Sequence, residues 1–184
     1  MFYFYLSFFE LYKKSETPFH NIAFSFLGIL YIVLPLILLG SFYFMKFPAE
    51  GITYGVLFGY FGILWISDTG AYLVGSAIGK HRLFERISPK KSWEGSIGGA
   101  IFALGGAALC WYLFGDILLW QWFVLGLIIV IIGTLGDLVE SLFKRSLGVK
   151  DSGSILPGHG GMLDRFDAVF ISAPFVFAYL MIIC

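Results

Sequence analysis

Long apolar runs without a charge constrain this chain more than any other feature. The run from Ile22 to Phe44 contains no charged residue, and about 20 apolar residues are enough for a helix to cross the hydrocarbon core of a bilayer. Residues 1–12 are also apolar but are too short to span. Further runs cover residues 52–79, 97–114, 117–135 and 166–183. We therefore predict an all-α, polytopic membrane helix bundle with about five transmembrane helices.

The composition excludes several other classes of protein. Hydrophobic residues make up 59% of the chain and charged residues only 13%, so a soluble domain of this length would leave large apolar patches in water. The 12 basic and 12 acidic residues leave no basic excess, and we expect no nucleic-acid partner. Cys110 and Cys184 both lie in apolar runs, so neither a disulfide framework nor a zinc site is expected.

The chain is predicted to form one membrane domain, 1–184. Residues 1–21 would be a partial helix and loop, and residues 22–184 the transmembrane core with polar loops at 80–94 and 141–165. With five spans, Lys46 alone falls on one side of the membrane, and the other Lys and Arg residues fall on the opposite side. The positive-inside rule assigns that basic side to the cytoplasm.

Carboxylates inside the apolar runs are candidates for function. Asp68 interrupts the second run, and Asp137 and Glu140 close the fourth. A carboxylate at membrane depth costs about 2.5–3.5 kcal/mol, so such residues are usually functional. For Asp68 an equally weighted interpretation is structural, with Ser67–Gly70 acting as the N-cap of a second half-helix that begins at Ala71.

Two groups of acidic residues flank the last polar loop. Asp137, Glu140, Ser141 and Lys144 follow one another at helical spacing, which places them on one face of a helix. Asp164 and Asp167 lie three residues apart at the start of the last run. Four carboxylates on two helix ends supply the oxygen ligands that a hard cation such as Mg²⁺ prefers.

The loops between these helices are typical of phosphate binding. Residues 157–161 read Pro-Gly-His-Gly-Gly, and Lys144, Arg145, Lys150 and Arg165 surround them. Glycines allow backbone N–H groups to point at an anion, as does the start of the next helix. The other loop carries Ser88, Lys90, Lys91 and Ser92 beside Trp93, either as a phosphate clamp or as residues that hold lipid headgroups.

Three segments together resemble one family. The pattern from Ser141 to Asp167, Ser-Leu-Phe-Lys-Arg, four residues, then Lys-Asp-Ser-Gly-Ser-Ile-Leu-Pro-Gly-His-Gly-Gly-Met-Leu-Asp-Arg-Phe-Asp, is similar to the signature of the phosphatidate cytidylyltransferase (CDP-diacylglycerol synthase) family. Residues 67–72 and 88–95 resemble that family's other segments. Members usually carry more N-terminal membrane helices, so the resemblance implies that these are missing here.

The resemblance also implies an activity and a site. It implies that CTP and phosphatidate give CDP-diacylglycerol and pyrophosphate, in phospholipid biosynthesis. It further implies Mg²⁺, with a second cation left open, and a homodimer among membrane lipids in a bacterial inner membrane, its active site facing the cytoplasm. The implied metal ligands are Asp137, Asp164 and Asp167. The implied catalytic residues are Asp68, Lys144, Arg145, Lys150, Asp151, His159 and Arg165. The implied substrate-binding residues are Ser88, Lys90, Lys91, Ser92, Glu140, Ser141, Gly160 and Gly161.

Two alternatives remain open from the residues. A CTP-dependent lipid kinase of the dolichol or phytol kinase type would transfer the γ-phosphate and release CDP. A proton-coupled transporter would use Asp68, Asp137 and Glu140 as a proton relay. Acidic residues concentrated at one membrane face, beside cations and glycines, favour a nucleotide site over a relay.

Overall fold

The computed structural model describes residues 2–13, 16–45, 54–149, 152–153, 161 and 163–184. The regular structure of these residues is helical apart from one short hairpin. In chain order the elements are α1 (Phe2–Tyr12), α2 (Pro18–Gly28), a π-helical turn (Ile29–Val33), α3 (Leu34–Ser41), a 3₁₀ turn (Phe42–Phe44), α4 (Gly55–Ile78), β1 (Arg82–Phe84), β2 (Ser88–Ser92), α5 (Trp93–Phe114), α6 (Leu119–Ser146) and α7 (Leu163–Ile183).

Five helical segments among the described residues are long and apolar enough to cross a membrane. They are Pro18–Phe44, Gly55–Ile78, Trp93–Phe114, Leu119–Ser146 and Leu163–Ile183. The first is a continuous rod made of α2, the π turn, α3 and the 3₁₀ turn. The predicted all-α, polytopic architecture is confirmed, and the protein is an integral membrane protein. Because the spans alternate in direction, the end of α4, the start of α5, the end of α6 and the start of α7 lie at the same end of the bundle.

Helices α4 and α5 pack most closely, and glycines permit their approach. A Cβ added to Gly95 would lie 2.9 Å from the Ala71 carbonyl oxygen, and one on Gly99 would lie 3.0 Å from that of Ser67. Small residues at this spacing let helix backbones meet in lipid, where packing rather than the hydrophobic effect holds helices together. Gly95 and Gly99 therefore allow α5 to lie directly against the backbone of α4.

The interior of the bundle is largely apolar and includes a buried pair of hydroxyl groups. Trp122, Tyr60 and Leu125 are fully buried between the helices. The Tyr60 hydroxyl lies 2.6 Å from Ser172 Oγ, on α7. Since a buried hydroxyl without a partner is costly, this hydrogen bond fixes α4 against α7.

Helix α4 continues without a break past Asp68, so the half-helix interpretation of residues 67–70 is wrong. The Ser67 hydroxyl donates to the Leu64 carbonyl at 2.7 Å, and the Thr69 hydroxyl donates to the Trp65 carbonyl at 2.8 Å. Both side chains therefore bond back into their own helix instead of capping a new one. Asp68 is left on an intact helix.

The loop between α4 and α5 folds into an antiparallel hairpin, which the sequence did not predict. Arg82 pairs with Ser92 and Phe84 with Ser88, with an irregularity in the ladder between them. Ser92 then caps α5, because its hydroxyl accepts the Gly95 N–H at 3.1 Å. The hairpin holds the lysines of β2 against the end of the bundle.

The opposite end of the bundle is closed by the turn between α5 and α6. Asp116 in this turn is 1% exposed and lies against Gly55 at the start of α4. Burial raises the pKa of its carboxyl group. A carboxylate beside the first N–H groups of a helix stabilises that helix end, so Asp116 ties the turn to α4.

Gly136 in α6 provides a test of this close packing. A Cβ there would lie 2.9 Å from the Asp167 carbonyl oxygen and 3.2 Å from Ala168 Cα, both on α7. Elsewhere in a helix, Gly→Ala is favourable by up to about 1 kcal/mol, whereas overpacking costs about 1–3 kcal/mol. We expect Gly136→Ala to lower the thermal unfolding midpoint in detergent micelles. The matched control is Gly105→Ala in α5, where a Cβ meets nothing within 4 Å. Equal midpoints for the two variants would contradict the packing of α6 on α7.

Candidate active site

A polar cavity of about 590 Å³ lies at the end of the bundle that carries the hairpin. Helices α4, α5, α6 and α7 and the strand β2 all contribute to its wall. Six of its lining residues belong to the set predicted from the sequence: Asp68, Lys90, Lys91, Ser92, Asp137 and Asp167. The structure therefore brings together charged residues that are up to 99 positions apart in the chain.

An ion pair between the hairpin and α6 crosses this cavity. Lys91 Nζ lies 2.5 Å from Asp137 Oδ2 and 3.5 Å from the Thr134 carbonyl oxygen. Both side chains are partly exposed, with 25% and 35% of their surfaces accessible. The pair is therefore open to a ligand, and a phosphate could compete with Asp137 for the lysine.

Three carboxylates meet beside this ion pair. One oxygen from each of Asp137, Glu140 and Asp167 can be chosen so that all three lie within 4.8 Å of one another. Asp137 also accepts a hydrogen bond from the Ser141 hydroxyl at 3.3 Å, and Asp167 accepts the Ala168 N–H at 2.6 Å. Carboxylates this close repel each other, so the cluster favours a bound cation.

Lys144 joins α6 to α7 below the cluster. Its Nζ lies 2.6 Å from Glu140 Oε2 and 2.6 Å from Asp164 Oδ1. The Glu140 side chain is 1% exposed and that of Lys144 is 15% exposed. A buried carboxylate without a cation would be strongly unfavourable, so Lys144 compensates the charge of Glu140.

Asp164, in the first turn of α7, is hydrogen-bonded to two described residues of the segment that precedes this helix. Besides Lys144, its carboxylate accepts the Ser152 N–H at 3.0 Å, the Ser152 hydroxyl at 2.9 Å and the Gly161 N–H at 2.8 Å. Gly161 is buried, and a Cβ there would overlap Ser152 Oγ. The loop thus needs glycine at 161 for close packing. The predicted metal role of Asp164 and substrate role of Gly161 stay predictions.

The remaining predicted residues are distributed around the site. Ser88 lies on β2, and it is not among the described residues that line the cavity. Arg145 and Arg165 are exposed on the last turn of α6 and the first turn of α7. Four predicted residues lie outside the described part of the chain: Lys150, Asp151, His159 and Gly160.

The structure adds residues that sequence reasoning missed. Tyr31, in the π-helical turn, packs against Phe170 with ring centroids 5.7 Å apart and ring planes tilted by 48°, and it lies close enough to Glu140 and Asp167 to interact with their charges. Arg82 and Tyr72 line the cavity. Single-turn π segments are common at functional sites, but the first apolar run contains no charge that would have signalled Tyr31. Arg82 had a signal, since it lies eight residues before Lys90 in the same basic loop.

Fold and site together define a polytopic membrane protein with a charged, phosphate-compatible cavity at one end. The family model described as the cytidylyltransferase family matches residues 1–183. The chain belongs to this family.

Several curated relatives carry the name phosphatidate cytidylyltransferase. The chain is 43% identical to the protein of Staphylococcus saprophyticus over 164 residues and 44% identical to that of Staphylococcus aureus over 164 residues. It is 40% identical to that of Staphylococcus haemolyticus over 163 residues. Each match covers 88% of this chain and 60% of the relative, so the chain spans about three fifths of the length of these proteins.

Proposed function

We propose that this protein transfers the cytidylyl group of CTP to phosphatidate, giving CDP-diacylglycerol and pyrophosphate. The observation that carries the proposal is the cavity in which Lys91 pairs with Asp137 beside the carboxylates of Glu140 and Asp167. Membership of the cytidylyltransferase family and relatives named phosphatidate cytidylyltransferase support it.

The main obstacle to this reaction is repulsion between two phosphates. An oxygen of the lipid phosphate forms a bond to the α-phosphorus of CTP, and the bond between the α-phosphorus and the bridging oxygen breaks to release pyrophosphate. The lipid phosphate is already ionised near pH 7, so no strong general base is required. Catalysis then depends on positioning and on charge neutralisation, and Lys90, Lys91 and Arg82 on the cavity wall would supply positive charge.

The carboxylate cluster fits a magnesium ion. Asp137, Glu140 and Asp167 offer only oxygen ligands, and they lie close together on two rigid helices, as a hard cation requires. We infer that these three residues hold Mg²⁺, which when bound would neutralise charge on the nucleotide phosphates. In this assignment Glu140 takes the metal role, and Asp164 instead holds Lys144, Ser152 and Gly161.

The finer assignments of location and assembly also belong to the proposal. Basic residues are concentrated in the loops at the end of the bundle that carries the cavity, which supports a cytoplasmic position for that end. The bacterial relatives support the cytoplasmic membrane of a bacterium. The homodimer stays a prediction.

The proposal is tested with the purified chain in mixed micelles of detergent and phosphatidate, with Mg²⁺ and CTP labelled at the α-phosphate. We expect chloroform-soluble label and one pyrophosphate per labelled lipid. The same preparation of an Asp137→Asn variant controls for enzyme carried over from the host. Activity that is equal in both preparations, or absent from both, would contradict the proposal for this chain.

A second labelling distinguishes the lipid-kinase alternative. CTP labelled at the γ-phosphate should leave all label in water-soluble pyrophosphate if the cytidylyl group is transferred. Label in the lipid, together with release of CDP, would instead establish a kinase. A transporter would produce neither labelled lipid nor pyrophosphate.

A further inference from the structure

A second groove of about 710 Å³ lies beside the hairpin, outside the cavity described above. We call it the hairpin groove. Its lining includes the cations Lys80 and Arg82 and the apolar side chains Trp93 and Ile97. Helix α5 contributes to both sites but with different faces. Trp93 and Ile97 point into the groove, whereas Gly95 and Ser96 line the cavity.

The hairpin groove carries positive charge that the protein leaves available. Glu94, also in the groove, is occupied by His81: its Oε1 lies 2.6 Å from His81 Nδ1, and it accepts the backbone N–H groups of Lys80 and His81. Among the described residues, neither Lys80 nor Arg82 makes an ion pair within 4.0 Å. Glu85, in the exposed turn, is the other acidic residue of the lining.

An apolar stripe leads from these cations along α5. Trp93, Ile97 and Ile101 are 56%, 58% and 63% exposed, and their spacing of four residues places them in one row. Tryptophan at the end of a membrane helix lies at the level of lipid headgroups. The stripe therefore begins in the groove that contains the two cations, and it has the chemistry to hold an acyl chain.

Arg82 connects the groove to the cavity. Its side chain lines both, and its backbone pairs with Ser92, which also lines the cavity. Arg82 is thus shared by the groove and by the cavity that contains Lys91 and Asp137.

We propose that the hairpin groove is the docking site through which phosphatidate reaches the cavity from the membrane. Lys80 and Arg82 would bind its phosphate, and Trp93, Ile97 and Ile101 would contact an acyl chain. Two adjacent cations match the nearly dianionic phosphomonoester of this lipid. The inference rests on the proposed function, since it names the path of that reaction's lipid substrate.

Fluorescence quenching by brominated lipid tests docking without turnover. The protein is placed in phosphatidylcholine vesicles that contain a minor share of phosphatidate brominated on its acyl chains, or the same share of brominated phosphatidylcholine. We expect more quenching by the phosphatidate. That excess should disappear in Lys80→Ala and in Trp93→Phe. It should persist in Trp120→Phe, because Trp120 is also 56% exposed but lies at the opposite end of the bundle.

Equal quenching by the two brominated lipids would overturn the inference, as would an excess that survives Trp93→Phe. An equal excess with brominated phosphatidylglycerol would show a general anionic-lipid surface and would also overturn it. The quenching experiment contains no CTP, so it measures docking alone. If the same preparation shows the excess of quenching but forms no CDP-diacylglycerol once CTP and Mg²⁺ are added, the proposed function is refuted and the docking site remains.

Kinetics supply a second and independent measurement. Lys80→Ala should raise the KM for phosphatidate, expressed as its mole fraction in micelles, about fivefold. The KM for CTP and kcat should stay within twofold. The matched control is Lys13→Ala, an exposed lysine far from the groove in sequence. A rise in the KM for CTP instead would assign Lys80 to the nucleotide and contradict lipid docking.

Discussion

Replacing Asp137 by asparagine is expected to lower cytidylyl transfer by about a hundredfold or more. Asp137 contacts several parts of the site. It pairs with Lys91 at 2.5 Å, accepts a hydrogen bond from Ser141 and belongs to the carboxylate cluster. Removing one preorganised electrostatic group from an active site commonly costs about 10²–10³-fold in rate. The asparagine keeps the shape of the side chain, so the fold should be retained.

The measurement is kcat and KM for CTP at several Mg²⁺ concentrations. If Asp137 helps to hold the ion, the variant should need more Mg²⁺ for half-maximal rate. Glu16→Gln is the matched control, because Glu16 is an exposed carboxylate far from the cavity in sequence, and it should retain the wild-type rate within twofold. A variant Asp137→Asn with full activity at low Mg²⁺ would refute both the metal assignment and the placement of the active site.

Replacing Lys144 by methionine should destabilise the protein by about 3 kcal/mol. The lysine lies 2.6 Å from both Glu140 and Asp164, and Glu140 is almost completely buried. Removing one partner of a buried ion pair leaves an uncompensated charge, which costs about 3–5 kcal/mol. The lower end of that range applies here because Lys144 is 15% exposed. The free energy of unfolding in detergent, measured from the fraction folded against denaturant, checks this.

A double variant separates charge from packing. Lys144→Met combined with Glu140→Gln removes the charges of the lysine and of its most buried partner and leaves Asp164, which keeps its hydrogen bonds from Ser152 and Gly161. The double variant should therefore regain part of the lost stability. Cytidylyl transfer should nevertheless stay at least tenfold below the wild type, because Glu140 is also in the carboxylate cluster. Arg145→Met, at the next and exposed position, should change stability by no more than about 0.5 kcal/mol. Equal stability of Lys144→Met and Arg145→Met would show that Lys144 does not compensate the buried charge of Glu140.

Local periodicity predicted one face of the site correctly. The spacing of Asp137, Glu140, Ser141 and Lys144 placed them together, and the Ser141–Asp137 and Lys144–Glu140 contacts confirm it. These contacts lie within two turns of a helix, so the geometry of the helix alone determines them.

The prediction of an N-cap at residues 67–70 was wrong because a serine or threonine hydroxyl can either cap a new helix or donate to a carbonyl of its own helix. Ser67 and Thr69 have the residue types of an N-cap, but they donate to carbonyls one turn earlier in α4 instead. Continued packing of α4 on α5 through Gly95 and Gly99 requires an unbroken helix. Packing against α5 therefore determines that α4 continues through Asp68. The residues around Asp68 contain no information about that packing.

The number and position of the membrane spans were determined by the sequence alone, because transfer of each residue from water to lipid depends mainly on that residue and its near neighbours. The same holds for the face of α6 that carries its polar residues. Which charged groups meet across helices was decided only by the tertiary structure. Packing of the helices and the hairpin determines three features: the contact of Lys91 with Asp137, the approach of Asp167 to Glu140 and the position of Tyr31. Packing depends on the shape complementarity of surfaces that are far apart in the sequence, so local patterns do not predict it.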